Sequence, residues 1–141
     1  MWGLISAIYR ALVNSVGITL GVFPTSADTV AAAAITLTSA AGAWTWGVWV
    51  EIVSAAGNPN KNEVYGLTLE NFVGLLGQGE VQIGTGAGGA EAAIITVPTV
   101  GADQSFPVIT VPPATRIAGR YRDSVAVANT VDVKLKVRAG A

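Results

Sequence analysis

One stretch of the chain has the glycine spacing of a cofactor-binding loop. The residues GTGAGGAE, at positions 84 to 91, read Gly-x-Gly-x-x-Gly, the spacing with which dinucleotide-binding folds hold a pyrophosphate. Asp103 even follows at about the distance expected of the acid that binds the ribose. However, residues 90 to 102 contain the strand-like sequence IITVP, which leaves no room for the required helix. The sequence therefore predicts a glycine-rich connection between two strands, with glycines at positive φ, and no nucleotide cofactor.

The chain has few residues that are suited to other kinds of catalysis. The chain has no cysteine and no histidine, which excludes thiolate nucleophiles, Ser-His-Asp triads and the usual zinc sites. Its nine acidic residues could in principle supply a carboxylate pair for glycoside hydrolysis, but they are scattered singly along the sequence. We therefore expect no enzymatic activity, no metal site and no cofactor.

Three tryptophans lie close together in the sequence AWTWGVWVEIV. Trp44, Trp46 and Trp49 could form a platform on which sugar rings stack. In an extended strand, however, Trp44 and Trp46 share a face with Val50 and Ile52, which is the pattern of a buried strand face. The alternation therefore favours core packing for two of the three tryptophans.

Three arginines in TRIAGRYRDS have the same parity, so in a strand Arg116, Arg120 and Arg122 emerge on one face. Three like charges on one face repel each other unless acidic groups meet them. Local pairing with Asp123 or with Asp132 is one solution. An acidic patch on a neighbouring molecule is the other, because the planar guanidinium group binds carboxylates bidentately. We take the three arginines as candidate partner-contact residues.

Charge is unevenly distributed along the chain. Six of the eight Lys and Arg residues follow residue 104, whereas seven of the nine Asp and Glu residues precede it. Such polarity suits head-to-tail contacts between copies, or docking on an acidic surface. Only 12% of the residues are charged, so little repulsion keeps copies apart. Nucleic-acid binding is not expected, because the formal net charge is −1.

The first 15 residues predict a short amphipathic helix or arm. Trp2, Ile5 and Tyr9 recur at helical spacing. This stripe packs either on its own domain or on a neighbouring subunit, and we include these three residues among the candidate partner-contact residues. Arg10 interrupts the apolar run, so the sequence predicts neither a signal peptide nor a membrane span.

Residues 16 to 141 predict a single all-β domain. In residues 130 to 138, Val and Leu alternate with charged residues, which is typical of an antiparallel sheet with one buried face. Turn sequences such as AAGNPNKN and VPPAT separate the runs. Eight or nine such strands predict an antiparallel β-sandwich of jelly-roll type. The other strand-like runs are residues 18–23, 34–38, 44–52, 63–69, 81–83, 93–97, 106–111 and 116–121.

Several C-terminal segments resemble a family of small virion proteins of tailed bacteriophages. In that family a similar glycine-rich turn precedes a strand, and a segment of the form P-x-x-(V/I)-P-x-x-T-R-I leads into the last strands. The similar segments here are IGTGAGGAEAAIITVP, FPVITVPPATRIAGRYRDS and VDVKLKV. The resemblance begins at residue 44 and leaves out the N-terminal arm. This chain departs from the pattern at VPPATRI, where a second proline occurs and Ala114 stands where a glycine is expected.

The resemblance implies a non-enzymatic β-sandwich that is built into the virion. It favours a capsid decoration, or cement, subunit that binds the major capsid protein and stabilises the particle after assembly in the host cytoplasm. The alternative is a receptor- or glycan-binding module of a head or tail fibre. The resemblance also favours a homo-oligomer, with a trimer first, because decoration proteins commonly occupy threefold positions. Neither nucleic acid nor a membrane is an expected partner.

Overall fold

The computed structural model describes residues 34–58, 61–74 and 77–139, and within them the chain forms strands and no helix. The predicted all-β antiparallel class is therefore confirmed. The predicted arm, with Trp2, Ile5 and Tyr9, and the predicted strand at residues 18–23 lie outside the described residues. The strands are β1 (Ile35–Thr38), β2 (Val50–Val53), β3 (Asn62–Glu70), β4 (Gly79–Thr85), β5 (Ala92–Pro98), β6 (Asp103–Val111), β7 (Ile117–Asp123) and β8 (Thr130–Ala139).

The strands form two four-stranded antiparallel sheets, in the orders β1-β8-β3-β6 and β2-β7-β4-β5. Their pairing is nested, since β1 pairs with β8, β2 with β7, β3 with β6 and β4 with β5. The chain thus follows the path of one long hairpin that is rolled into two facing sheets. This is the predicted jelly-roll arrangement. No helix long and apolar enough to span a membrane occurs in the part of the chain that the structure describes.

The core lies between the two sheets and follows the alternation of the strands. In β8 every second side chain is fully buried, and the charged residues between them face outward, as predicted. Leu37, Ile83 and Tyr121 complete the centre of the core from the other strands. Burial of each large apolar side chain contributes about 1.5–3 kcal/mol. The buried residues of β8 are Val131, Val133, Leu135 and Val137.

Two of the predicted turn sequences meet at one end of the sandwich. The buried Asn58 side chain donates hydrogen bonds to the carbonyl groups of Pro112 (3.2 Å) and Thr115 (2.9 Å), and accepts one from Asn62. Its backbone carbonyl accepts a hydrogen bond from the backbone N–H of Ala114 (2.7 Å). Ala114 has a φ of 53°, which lies in the left-handed region. Glycine is favoured at such a position, as the resemblance suggested.

A buried carboxylate lies at the other end of β7. Asp123 is 1% exposed and accepts hydrogen bonds from the Asn129 side chain (2.6 Å), the Val125 N–H (3.1 Å) and the Tyr121 hydroxyl (3.3 Å). Burial, with the nearby Asp123 carboxylate, raises the pKa of the Tyr121 phenol. The predicted pairing of Asp123 with the arginines is therefore wrong, because Asp123 faces the interior side of β7.

Candidate functional site

Residues 44 to 49 depart from the predicted strand. The regular strand β2 starts only after this segment, which still follows β7 through two backbone hydrogen bonds. Trp44 N–H donates to the Asp123 carbonyl (2.5 Å) and Gly47 N–H donates to the Tyr121 carbonyl (2.9 Å). Trp44 has a φ of 55°, in the left-handed region. The prediction that Trp44 and Trp46 pack in the core is wrong, because Trp44 is 49% exposed and Trp46 is only half-buried.

Gly47 gives the physical reason for this departure. A Cβ atom at Gly47 would lie 1.8 Å from the backbone carbonyl oxygen of Thr38, at the end of β1. Only glycine permits so close an approach of two backbones. The segment passes the end of β1 at this point, and the strict alternation of faces does not continue across it. A glycine inside a strand-like run is the sequence signal for such an irregularity.

The three tryptophans interleave with two arginines on the outer face of the β2-β7-β4-β5 sheet. The Arg122 guanidinium carbon lies 5.6 Å from the ring centroid of Trp44 and 4.3 Å from that of Trp46. The Arg120 guanidinium carbon lies 4.9 Å from the centroid of Trp46 and 4.4 Å from that of Trp49. Each such cation–π contact contributes about 0.5–1 kcal/mol at exposed sites and more when desolvated. We call these five side chains the Trp–Arg ladder.

The glycine-rich motif supports one end of the Trp–Arg ladder. A Cβ atom at Gly84 would lie 2.6 Å from Cη2 of Trp49, so the missing side chain makes room for the indole. The rest of the motif connects β4 to β5, with Gly86 at φ 133° and Gly89 at φ 84°. The predicted glycine-rich connection between strands is therefore confirmed. Gly88 has an ordinary φ, and a Cβ atom there would meet nothing within 4 Å.

Arg116 lies just before β7 and is held by two carboxylates. Its Nε donates to Glu51 (2.8 Å), and its Nη1 contacts Glu91. Glu91 also accepts a hydrogen bond from the Gly89 N–H (2.9 Å). Desolvation would raise the pKa of Glu91, but hydrogen bonds from the backbone and from Arg116 outweigh it and lower that pKa. The charges of Arg116, Glu51 and Glu91 are thus all paired within the chain.

The other two arginines differ in their partners. Arg122 contacts Glu80 through Nη2 (2.6 Å). Arg120 has no carboxylate within ion-pair distance among the described residues. Its Nε donates instead to the Gln82 side-chain oxygen (2.8 Å), and Gln82 in turn donates to Thr96 (2.9 Å). Desolvation, together with repulsion from Arg122, lowers the pKa of Arg120.

The structure thus places Arg120 and Arg122 on one face of β7, as predicted, with Tyr121 on the opposite face. The predicted local acid Asp132 is not their partner. It lies in the other sheet, where it accepts hydrogen bonds from Thr36 (2.5 Å) and Asn71 (2.7 Å). Whether the arginine face contacts a partner stays a prediction.

The charge polarity of the sequence does not produce two charged surfaces in the fold. Strand β8 is inserted between β1 and β3, so its basic residues lie beside acids from earlier in the chain. Gly66, in the middle of β3, has no side chain, and Lys136 passes over it to reach Asp103 on β6. The other ion pairs of this sheet are Lys134–Glu70 (2.8 Å) and Arg138–Glu63 (2.5 Å).

A second surface feature is the edge formed by β5 and β6, which are consecutive in the chain and lie at the edges of the two sheets. Between Glu91 and Arg116 the only charged residue is Asp103. Val100 is 64% exposed and Val108 is 52% exposed. On the same two strands, Ile94, Ile95 and Phe106 are partly buried and pack against the core. We call this surface the β5–β6 edge.

Comparison with known proteins gives no further guidance, since no family model, no curated protein and no solved structure matches the chain. Nor do the described residues contain a group of three or more acidic, histidine or cysteine side chains that could hold a metal ion. The chemistry of the surface is therefore what bears on function. The sequence pointed to the tryptophans and arginines separately, but their interleaving depends on the irregular segment 44 to 49.

Proposed function

We propose that the protein is a non-enzymatic structural subunit of a bacteriophage virion, which decorates the capsid shell as a homo-oligomer. The observation that carries the proposal is the β5–β6 edge, where apolar side chains are exposed and charge is nearly absent. Such a surface matches the composition of the buried centre of a protein interface, which is depleted of charge. Exposed apolar patches of this kind mark contact sites more often than free surface.

The mode of contact follows from the backbone of β6. Edge strands ordinarily invite another strand to pair with them. Pro107 lies in β6 where the register with β3 shifts, and proline has no N–H to donate to an added strand. A neighbouring copy therefore packs against the edge through side chains. Contact between the edge of one copy and a different surface of the next forms a ring where the rotation between copies closes, and a trimer is the smallest such ring.

The resemblance to phage virion proteins covers this edge. The similar segments contain the end of β4, β5, most of β6, β7 and most of β8. The internal ion pairs of Arg116 and Arg122 leave the arginine face with less capacity for an acidic partner than the sequence suggested. We therefore assign subunit contact first to the β5–β6 edge, and the contact role of the arginines stays a prediction.

The test uses two exposed valines of the edge. We expect Val100→Lys with Val108→Lys to convert the oligomer to a folded monomer and to abolish binding to capsids, and its melting temperature should not depend on protein concentration, as that of an oligomer does. Val127→Lys is the matched control, because Val127 is 53% exposed but lies in the β7–β8 connection. Light scattering gives the oligomeric state, and co-sedimentation with purified capsids gives the binding.

Two outcomes would count against the proposal. The wild-type protein could remain monomeric at high concentration and fail to sediment with capsids. Alternatively, the double variant could assemble and bind as the wild type does, which would remove the edge from the interface.

A further inference from the structure

We infer that the Trp–Arg ladder is a binding site for an acidic oligosaccharide, with Arg120 as the residue that binds a sugar carboxylate. The juxtaposition that supports this is one guanidinium group that contacts no carboxylate in the described chain and lies within 4.9 Å of two indole ring centroids, in the same ladder as the exposed Trp44. The site is separate from the β5–β6 edge and rests on none of the reasoning for the virion role.

Arg120 differs from the other arginines of the described chain in what its donors bind. Arg116, Arg122 and Arg138 each contact a carboxylate, whereas Arg120 donates through Nε to the neutral Gln82 side chain. The ring centroids of Trp46 and Trp49 lie 4.9 Å and 4.4 Å from its guanidinium carbon. Its Nη groups have no carboxylate to bind within the described chain. A planar carboxylate is the ligand that fits these donors, because it accepts two parallel hydrogen bonds.

The surroundings of Arg120 suit a sugar. Trp44 is 49% exposed at the far end of the ladder, and an indole face is the surface on which a pyranose ring stacks. Gln82 and Thr96 lie beside Arg120 and provide groups for hydroxyl recognition. Because Trp46 and Arg122 lie between Trp44 and Arg120 in the order of ladder contacts, we expect contact with both to need more than one sugar residue. The ladder therefore favours a ligand of two or more sugar residues.

A carboxylate of a protein partner is the competing ligand, and the surface chemistry argues against it. The centres of protein interfaces are depleted of Lys, Asp and Glu, which fits the β5–β6 edge, although they are enriched in Trp and Arg. The ladder face instead carries ion pairs at Glu80–Arg122 and Glu51–Arg116 and remains polar. Within each pair the two charges cancel, so the ladder face attracts a distant anion only weakly. Selectivity for the acid then depends on direct contact with Arg120.

The experiment measures tryptophan fluorescence of the full chain during titration with trigalacturonate and with its fully methyl-esterified, neutral form. Sialyllactose and lactose form a second acidic and neutral pair, and monomeric galacturonate tests length. We expect saturable binding of an acidic oligosaccharide at least about tenfold tighter than of its neutral counterpart, as a charge-assisted bidentate contact provides. Monomeric galacturonate should bind more weakly than the trimer.

Variants separate binding from folding. Arg120→Lys keeps the charge but loses the planar fork, and should remove most of the preference for the acid. Trp44→Ala, at the exposed end of the ladder, should weaken binding of the oligosaccharide and leave the monomer unchanged. Arg138→Gln lies in the other sheet and should bind as the wild type does. Melting temperatures show whether each variant is folded.

Three results would overturn the inference. Neither acidic oligosaccharide binds better than its neutral form. Folded Arg120→Lys keeps the full acid preference. The chain binds neither acidic oligosaccharide, and Arg120→Lys impairs sedimentation with capsids, in which case the ligand is a carboxylate of a capsid protein. None of these results bears on the oligomer formed by the β5–β6 edge.

Discussion

At the scale of single residues, Ala114 has a backbone conformation that favours glycine, the residue that the resembled family has at this position. The resemblance called for glycine before Thr115, and the structure places Ala114 at φ 53° with its N–H bonded to the Asn58 carbonyl. The left-handed conformation costs a residue with a Cβ atom about 1–2 kcal/mol. Glycine avoids this cost, but part of the gain is lost because glycine has more conformational entropy in the unfolded chain. Ala114→Gly should therefore stabilise the fold by up to about 1 kcal/mol.

Denaturant unfolding measures this change. Ala93→Gly is the matched control, since Ala93 lies in β5 next to the register shift with β4, is exposed and does not have a positive φ. Glycine there should destabilise the fold by about 0.5–1 kcal/mol. If both variants lose stability equally, the left-handed conformation of Ala114 does not strain the native protein.

The lowered pKa of Glu91 predicts that the fold loses stability in acid. Its pKa in the folded chain lies below the ordinary value of 4.5, because hydrogen bonds from the backbone and Arg116 outweigh desolvation. A group with a lowered folded pKa binds fewer protons in the folded state, so it stabilises the fold above pH 4.5 and loses that contribution as the pH falls further. Asp132, whose pKa is lowered by hydrogen bonds from Thr36 and Asn71, acts in the same direction.

The measurement is the melting temperature between neutral pH and about pH 3. We expect the wild type to lose stability on acidification and Glu91→Gln to lose less, because it lacks one of the groups that must be protonated. At neutral pH Glu91→Gln should melt earlier than the wild type. Parallel pH curves for the two proteins would show that Glu91 contributes nothing to the acid response.

At the scale of elements, regular alternation was predictable and close backbone approach was not. The strict pattern of β8 defined its buried face from the sequence alone. The segment 44 to 49 carries a similar pattern, yet Gly47 passes against Thr38 and the tryptophans end on the surface. The contact at Gly47 joins two sheets, and local periodicity contains no information about which strand lies opposite. The same limit applies to Arg116, whose acids Glu51 and Glu91 come from distant parts of the chain.

The Trp–Arg ladder ties the irregular segment 44 to 49 to β7. Arg120→Ala with Arg122→Ala removes four cation–π contacts and the ion pair to Glu80, so the variant should lose roughly 1–3 kcal/mol of stability. Near-ultraviolet circular dichroism should report the loss of order around the indoles. Thermal unfolding gives the stability.

Arg138→Ala is the control for this pair of substitutions. Its ion pair with Glu63 lies on the other sheet and contacts no aromatic ring in the described chain, so its loss should change stability by about 0–1 kcal/mol. A double variant that melts with the wild type would mean that the ladder contacts are too weak to hold the segment. The ladder would then owe its geometry to the backbone hydrogen bonds of Trp44 and Gly47 alone.

At the scale of the whole molecule, the fold brings acidic residues from the first part of the chain into ion pairs with basic residues from the last part. The nested strand order brings the late, basic strands β7 and β8 beside the earlier, acidic ones. Composition alone suggested head-to-tail attraction between copies, because the sequence shows where charges lie along the chain and not across the sheets. In the described part of the chain, the candidate contact surfaces are the β5–β6 edge, where Asp103 is the one charged residue, and the guanidinium of Arg120, which contacts no carboxylate. The class of fold could be predicted from the sequence, whereas the proposed contact surface could be recognised only from the topology.

Apolar contact and charge attraction, the two proposed origins of self-association, differ in their response to salt. Screening shortens the range of charge interactions to about 3 Å at 1 M ionic strength, whereas it leaves apolar contacts in place. We therefore expect the oligomer to persist from about 0.1 M to about 1 M sodium chloride, as measured by sedimentation equilibrium. The melting temperature should fall slightly over this range, because the ion pairs on both sheets are partly exposed. The Val100→Lys and Val108→Lys variant should stay monomeric at both salt concentrations. An oligomer that dissociates at high salt would show that charge attraction between copies, as the sequence first suggested, outweighs the contact through the β5–β6 edge.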